Sequence, residues 1–333
     1  MAGCQGSALA IAARAAGAVG SLPCAMLDPD TIVREVATIR AAGDGVLNLN
    51  FFCHAMPAPD AAREAAWRAV LAPAFAALGV PPDARDGATR LPFGEAHAAL
   101  VERLRPELVS FHFGLPSPAL LDRVRASGAR IVSSATTVAE AAWLAAHGAD
   151  AIIAQGLEAG GHRGHFLRGD LRHQQPLATL LPAIVAAVRL PVVAAGGIAT
   201  AHDVRAARRA GAIAVQVGTA LLRTPEATTT AVHRAALHDA STSPDHDAAT
   251  AITNIFTGRP ARALVNRAMR DLGALRDDVP AFPHAAAVMH PLRVAAESAG
   301  RGDYSPLWSG SVPAAAHERP AAEIIAALAA GID

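Results

Sequence analysis

The sequence predicts an α/β fold, a (β/α)8 TIM barrel with an added helical substrate lobe. Short apolar runs rich in β-branched residues alternate with helical patterns up to Thr224, which is typical of parallel strands joined by crossover helices. Several of these runs end in glycine or a polar residue, as barrel strands do at the face that carries the active site. After Thr224 the alternation stops, which indicates a separate segment.

The barrel elements follow from this alternation, with helix starts marked by Asp, Ser or Thr and helix ends by Gly. Strands are predicted at residues 18–22, 45–52, 108–113, 130–134, 149–154, 192–195 and 213–217. Helices are predicted at residues 8–16, 30–42, 61–78, 118–127, 137–147, 180–188 and 201–210. Seven strands are one fewer than a closed barrel needs. We expect the missing first strand to precede Met1, the alternative being a barrel one strand short.

Residues 225–291 are predicted to form the helical substrate lobe, with helices at 248–256 and 261–272 that cover the barrel mouth. The barrel domain then comprises residues 1–224 and 292–333, and a last amphipathic helix at 320–330 closes it. Residues 53–92 form a second insertion around a helix centred on Trp67. Long excursions on the loop side of a barrel commonly select the substrate.

Composition excludes several classes of protein. The 29 basic and 29 acidic residues balance, which argues against binding to nucleic acid or to an anionic membrane. The chain contains no lysine, so a Schiff-base aldolase, a lysine-anchored pyridoxal phosphate and a P-loop are excluded. Three irregularly spaced cysteines and the lack of a signal-peptide pattern favour a cytoplasmic protein, and no apolar run is long enough to span a membrane.

Two neighbouring strand ends predict a phosphate site. Gly196 and Gly197 follow the strand at 192–195, while Gly218 and Thr219 follow the strand at 213–217. The loops after the last two strands of such barrels commonly bind phosphate through backbone amides and a short helix N-terminus. Either glycine pair alone is also compatible with close packing at a strand end, but the two together favour a phosphate ligand.

Residues 154–164 form a glycine-rich loop directly after a third strand. Gly156, Gly160, Gly161 and Gly164 suggest positive φ angles or a flat ligand against the main chain, and they present His162. Flavin mononucleotide (FMN) is long enough to reach from the phosphate loops to this histidine. The polar residues at strand ends that we expect near the isoalloxazine or ribityl groups, unless they bond to nearby backbone, are Asn50, Gln155 and Gln216.

Other roles for the loop residues carry less weight. A zinc site formed by His162, His165 and His173 lacks an acidic or cysteine partner at ligand spacing, so no metal is expected. Arg163 is interpreted as a lid or surface contact. Arg259 falls in a segment predicted to begin a helix, where it either anchors the lobe or contacts substrate.

Several motifs occur in the order found in the nitronate monooxygenase family, formerly called 2-nitropropane dioxygenases, and the chain resembles that family over nearly its whole length. The motifs are Gln-Gly-Leu-Glu-Ala-Gly-Gly-His-Arg-Gly at 155–164, Ala-Ala-Gly-Gly-Ile at 194–198, Val-Gln-Val-Gly-Thr at 215–219, Thr-Gly-Arg-Pro-Ala-Arg at 257–262, Asn-Leu-Asn-Phe-Phe-Cys-His at 48–54, Ser-Phe-His-Phe-Gly-Leu-Pro at 110–116 and Leu-Trp-Ser-Gly at 307–310. The chain departs from the family where Ser311 replaces a frequent Gln, at residues 172–175, and in having no strand before Met1.

The resemblance implies an FMN enzyme that converts a nitronate, or a neutral nitroalkane, and dioxygen to a carbonyl compound and nitrite without nicotinamide. It assigns to His162 the role of base for neutral nitroalkanes, and it leaves the oligomeric state open, with a homodimer as one option. The flavin-contacting segments of the family map to Met1, Ala2, Gly3, Asn50, Gln155, Gly160, Gly161, Gly196, Gly197, Gln216, Gly218 and Thr219.

Two rival functions remain open. A flavin-dependent enoyl-acyl carrier protein reductase has a similar glycine-histidine loop but uses NADH, so anaerobic reduction of the flavin by NADH separates it from a nitronate monooxygenase. A flavin-binding protein without turnover would neither consume dioxygen with nitronates nor oxidise NADH.

Overall fold

The computed structural model describes residues 1–85, 90–242 and 250–332. The strands within this part of the chain are β1 Gly20–Pro23, β2 Leu47–Phe52, β3 Leu108–His112, β4 Arg130–Ala135, β5 Ala151–Gln155, β6 Gly161–His162, β7 Val192–Ala195, β8 Ala214–Gln216, β9 Thr250–Thr253 and β10 Ala261–Leu264. Seven of them form a curled parallel sheet in the order β1-β2-β3-β4-β5-β7-β8. These are the seven strands predicted from the sequence, which confirms the barrel-type α/β fold.

Within the described residues, some helices connect the parallel strands and cover the outer face of the sheet, and others belong to the added lobe. They are α1 Ser7–Ala15, α2 Pro29–Ala41, α3 Ala61–Leu78, α4 Glu95–Leu104, α5 Pro118–Ala126, α6 Val138–Ala146, α7 Leu177–Ala187, α8 Ala201–Arg209, α9 Ala231–Thr242, α10 Arg267–Leu272, α11 His284–Ser298 and α12 Ala321–Ala329. Several begin at the predicted capping residues: the side chains of Asp28, Thr137 and Thr200 each accept a hydrogen bond from the first turn of α2, α6 and α8.

The edges of the sheet are β1 and β8, and the described residues contain no eighth strand between them. Helix α12 packs against both α1 and α8, so it joins the first and last units of the sheet, as predicted for a closing helix. Met1 packs into the core on this side, where its sulfur lies 3.7 Å from the place a Cβ on Gly218 would take. The strand expected before Met1 stays a prediction.

The added lobe contains a small antiparallel sheet, in the order β6-β10-β9, as well as helices. The predicted helices at 248–256 and 261–272 are therefore wrong over β9 and β10. Of these two segments, only the part that forms α10 is helical. Residues 248 and 249 lie outside the described residues. Strand pairing overrides the local helical pattern here, because Ala261 and Arg262 align with His162 and Gly161 of the distant glycine loop. The lobe boundary at residue 291 stays a prediction, since α11 runs through it.

The predicted insertion at residues 53–92 contributes a helix to this lobe; residues 86–89 lie outside the described residues. Its helix α3 buries Trp67, Leu71 and Phe75 in a cluster with Val288 and Leu292 of α11. The lobe therefore has its own apolar core beside the barrel. No helix in the described ranges has the length and apolarity needed to cross a membrane.

Gly258 sits in the turn before β10 at φ +86°, and a Cβ there would lie 2.1 Å from the carbonyl oxygen of Pro280. Gly300 has φ +70° but open space around its missing Cβ. We expect Gly300→Ala to lower the free energy of unfolding by about 1–2 kcal/mol through backbone strain alone. Gly258→Ala should cost a further ~1–3 kcal/mol from overpacking.

Urea denaturation of both variants measures this difference. Equal losses of stability for Gly258→Ala and Gly300→Ala would show that the approach of Pro280 to the turn is not a constraint on the fold.

Candidate active site

The glycines of the 154–164 loop mostly serve close packing within the protein. A Cβ on Gly156 would lie 2.6 Å from Leu177, one on Gly160 would lie 2.6 Å from the backbone of Ser309 and Gly310, and one on Gly164 would lie 2.7 Å from the His112 ring. Only Gly161 has a positive φ, +72°, with open space on its Cβ side. The loop thus packs tightly against other segments of the chain, and Gly161 is the glycine that leaves room for a ligand.

Arg163 closes this loop from within. Its side chain is fully buried, so the interpretation as a lid or surface contact is wrong. The guanidinium donates to the carbonyl oxygens of Gln155 and Ala159, at 3.1 and 3.4 Å, and to the side chain of Gln174 at 2.8 Å. Burial lowers the pKa of Arg163 to about 10, which leaves the group charged at neutral pH. The arginine therefore ties both ends of the loop together.

Two side chains fix the backbone of His162. Its carbonyl oxygen accepts hydrogen bonds from Gln155 Nε2 at 3.0 Å and from His112 Nε2 at 3.1 Å. The side-chain oxygen of Gln155 accepts from the backbone N–H of Gly164 at 2.8 Å. The nitrogen and the oxygen of the Gln155 side chain therefore both hold the loop, and neither points towards a cofactor. Burial lowers the pKa of His112 to about 3; the neutral ring can accept from Ser134 through Nδ1, 3.1 Å away.

The imidazole of His162 projects into an aromatic pocket between barrel and lobe. Its ring centroid lies between 5.2 and 6.2 Å from the ring centroids of four residues, Phe52, Phe113, Phe282 and Trp308. Nε2 lies 2.9 Å from the hydroxyl oxygen of buried Thr257. The two sides of the pocket come from distant parts of the chain, since Phe52 ends β2 and Phe282 precedes α11.

The surroundings of His162 favour its neutral form. Burial lowers its pKa well below the usual value, and the positive charges of Arg90 and Arg259 lower it further. A neutral imidazole has one nitrogen with a free lone pair, which a general base needs. An apolar pocket with neutral histidines and nearby cations suits an anion or a molecule that becomes one.

The predicted phosphate loops meet the glycine loop at the carboxyl ends of β5, β7 and β8. Gly196 and Gly197 have φ of +115° and +69°, and the missing Cβ of Gly196 faces the backbone of Ala159 at 2.9 Å. Gly218 begins a short 3-10 turn over Thr219–Leu221. The Thr219 hydroxyl oxygen accepts from Gly310 N at 2.8 Å, which leaves its proton available.

The remaining predicted cofactor residues surround the same strand ends. Gln216 is exposed at the end of β8, while Asn50 of β2 donates to the Ser110 hydroxyl at 2.8 Å. Met1 and Ala2 are half-buried, and Gly3 has φ +81° with open space on its Cβ side. These predicted cofactor residues thus lie around the carboxyl face of the sheet, as a cofactor site there requires.

Comparison with known proteins identifies the family. The sequence matches the family described as nitronate monooxygenase over residues 1–331. The chain belongs to the nitronate monooxygenase family. It is 40% identical to a nitronate monooxygenase of Pseudomonas aeruginosa, covering 98% of this chain and 93% of the relative, and 37% identical to one of Paraburkholderia phytofirmans, covering 98% and 89%. The resemblance inferred from the motifs is confirmed, and the chain is a flavin-dependent oxidoreductase of this family.

Solved structures agree with the family. A nitroalkane oxidase from Streptomyces ansochromogenes superposes with a TM-score of 0.88 at 36% identity, covering 100% of this chain and 93% of that one. FabK from Thermotoga maritima superposes with a TM-score of 0.72 at 22% identity, which shows a shared fold alone. The barrel with an added lobe is therefore common to both, and the closer likeness is to the nitroalkane oxidase.

Sequence reasoning did not find the aromatic pocket or Thr257. Phe113 follows β3 in the His-Phe-Gly motif, and its left-handed φ of +72° is unusual for a residue with a side chain. The glycine after it marks an irregular strand end, which was the available signal. Phe282 carries no local signal, because only the packing of the lobe brings it to His162.

Three buried histidines other than His162 make the stability of the fold depend on pH. Burial lowers the pKa of His54, His165 and His233 to about 4 in each case. An unfolded histidine binds a proton near pH 6.5, so protonation favours the unfolded chain as the pH falls from about 6.5 to about 4. We expect each histidine to lower the free energy of unfolding by about 1.4 kcal/mol per pH unit across this range.

Urea denaturation at pH 7.5, 6 and 5 tests this dependence. His233→Gln, which changes the buried histidine of α9 rather than one in the pocket, should flatten the slope. An unchanged stability between pH 7.5 and 5 would contradict the neutral, buried state of these rings.

Proposed function

We propose that the protein holds FMN at the carboxyl face of the sheet and oxidises nitronates and neutral nitroalkanes with dioxygen to carbonyl compounds and nitrite. The observation that carries this proposal is the neutral His162, held in an aromatic pocket at the end of a loop that meets the predicted phosphate loops. Membership of the nitronate monooxygenase family and the likeness to a nitroalkane oxidase support the same reaction.

The described residues fit a flavin phosphate. The amides near Gly196, Gly197, Gly218 and Thr219 would hold the phosphate, since left-handed glycines and the start of a 3-10 turn present N–H groups to an anion. Gly161 leaves the room that a flat ring system needs beside His162. Asn50, Gln216 and the segment Met1, Ala2 and Gly3 would surround the rest of the cofactor, with Gln155 and Gly160 shaping the loop behind it. When bound, FMN would accept electrons from the substrate and pass them to dioxygen.

In this proposal, His162 removes the α-carbon proton of a neutral nitroalkane. Nε2 donates to the Thr257 hydroxyl, 2.9 Å away, and that hydroxyl can donate to the carbonyl oxygen of Arg259 at 3.4 Å. This arrangement leaves the lone pair on Nδ1 for the substrate, because a neutral ring protonated on Nε2 accepts through Nδ1. The carbonyl contacts from Gln155 and His112 keep the backbone of the base fixed. The apolar walls exclude water around the transferred proton.

Gly218→Val tests the phosphate site. Gly218 has a negative φ, −129°, and a Cβ there would meet only the flexible side chain of Met1 at 3.7 Å. The variant is therefore expected to fold and to lose most of its FMN, because the added methyl groups block the approach of the phosphate. Gly169→Val, in open space away from these loops, is the matched control and should keep its flavin.

Flavin content after gel filtration, read from the absorbance spectrum, measures the effect. Full FMN occupancy in folded Gly218→Val protein would remove the β8 end from the phosphate site.

His162→Asn tests the base. Asparagine keeps a similar bulk but no longer titrates, so turnover of a neutral nitroalkane should fall on the order of a hundredfold or more, the usual scale of general-base catalysis. A pre-formed nitronate needs no deprotonation, and its oxidation should fall much less. Oxygen uptake with both substrates, at equal flavin content, measures the two rates.

Equal losses on the two substrates would make His162 a binding residue instead of a base. Unchanged rates on both would remove the loop from the reaction centre. Rapid anaerobic flavin reduction by NADH, without oxygen uptake on nitronates, would favour the reductase alternative.

A further inference from the structure

Arg259 places a positive charge in the aromatic pocket without a carboxylate beside it. Its Cζ lies 4.0 Å from the centroid of the Phe113 ring, and Nη2 donates to the carbonyl oxygen of His165. Nε is buried and has no hydrogen-bond partner within the described residues. A guanidinium carries five N–H donors, so Arg259 can donate to a ligand in addition to the His165 carbonyl oxygen.

Glu140 is the acidic residue whose charge acts on Arg259, but its carboxylate is already satisfied elsewhere. One oxygen accepts from the backbone and hydroxyl of Thr136, and the other accepts from the amide of Phe166 at 2.7 Å. Among the residues that the structure describes, no Asp or Glu forms an ion pair with Arg259. Arg259 is half-buried, and a charge partly removed from water without an ionic partner favours the binding of an anion at this position.

Phe113 connects Arg259 to the proposed base. Its left-handed φ of +72° turns the ring away from the course of β3 and into the pocket, where its centroid lies 6.1 Å from that of His162. A non-glycine residue keeps such a backbone conformation when the surrounding structure requires it, and functional sites are where this occurs. The guanidinium of Arg259 and the imidazole of His162 thus both lie near the ring of Phe113.

We propose that Arg259 binds the negatively charged oxygens of the nitronate and makes the pocket prefer this anion to the neutral nitroalkane. The inference rests on the proposed function and names the residue that sets its preference between the two substrate forms. Arg259 lies beside the end of β3, whereas the predicted phosphate loops follow β7 and β8 on the other side of the curled sheet. The flavin phosphate is therefore the less suitable partner for this guanidinium.

The test uses Arg259→Gln, which keeps a donor for the His165 carbonyl but removes the charge, and Arg259→Lys, which keeps the charge. With the FMN-loaded enzyme, KM for propane-2-nitronate should rise on the order of tenfold to a hundredfold in Arg259→Gln, the range for a lost charge-assisted hydrogen bond. KM for 2-nitropropane should change by less than about threefold. Arg259→Lys should recover part of the nitronate affinity.

Isobutyrate, a carboxylate with the shape of propane-2-nitronate, gives a readout that does not depend on turnover. Its dissociation constant, measured from the change in flavin absorbance, should weaken by the same factor in Arg259→Gln. Arg276→Gln is the matched control, because Arg276 also lies over an aromatic ring, that of Trp67, but pairs with Asp278 in the lobe. This control should bind isobutyrate as the unchanged protein does.

Equal changes of KM for nitronate and nitroalkane, or unchanged isobutyrate binding in Arg259→Gln, would overturn the proposal and leave Arg259 as an anchor for the lobe. If neither variant folds, the unchanged protein still decides, since it should bind isobutyrate at least about tenfold more tightly than neutral isobutyramide. A lack of that preference would overturn the proposal too. Isobutyrate binding without any nitronate oxidation would instead count against the proposed function alone.

Discussion

The pairing of the two-residue strand β6 with β10 is the interaction on which the candidate site depends. It aligns Ala261 with His162 and Arg262 with Gly161, and the amide of Arg163 extends it by donating to the carbonyl oxygen of Pro260 at 2.8 Å. Through this contact a loop of the barrel and a turn of the lobe become neighbours. Thr257 and Arg259 reach the histidine because they precede β10 in that turn.

The strands themselves are short, so other contacts must keep the pairing in place. Arg163 binds the carbonyl oxygens on the barrel side of the loop, and Arg262 donates from the lobe to the carbonyl oxygen of Leu157 at 2.8 Å. Glu158 accepts from the amide of Leu177, at the start of α7, at 2.9 Å, and so holds the loop against that helix. Buried hydrogen bonds to arginine are stronger than neutral ones, which suits arginine to this task in a chain without lysine.

Most of the barrel was predictable from the sequence, because apolar periodicity and capping residues act locally. The strand at residues 192–195 and the helix at 61–78 were predicted with the bounds that the structure has. The lobe was harder, since residues 261–264 become a strand through pairing with β9 and with a loop about a hundred residues earlier. The same limit applies to the site. His162 lies in a glycine-rich loop that is evident in the sequence, whereas Phe282 and Thr257 become functional candidates only through contacts between distant segments.

Some glycines around the site leave space for the proposed cofactor, and others leave space for another segment of the protein. This difference decides whether excess cofactor can compensate for the loss of a glycine. A ligand that binds only the folded state raises its stability by mass action, so added FMN offsets a weakened cofactor contact such as one at Gly218. Gly160 instead admits the backbone of Ser309 and Gly310, and its missing Cβ lies 2.6 Å from them. No concentration of flavin relieves a clash between two segments of the protein. Side chains added at these two positions would therefore produce two phenotypes, one dependent on flavin supply and the other indifferent to it.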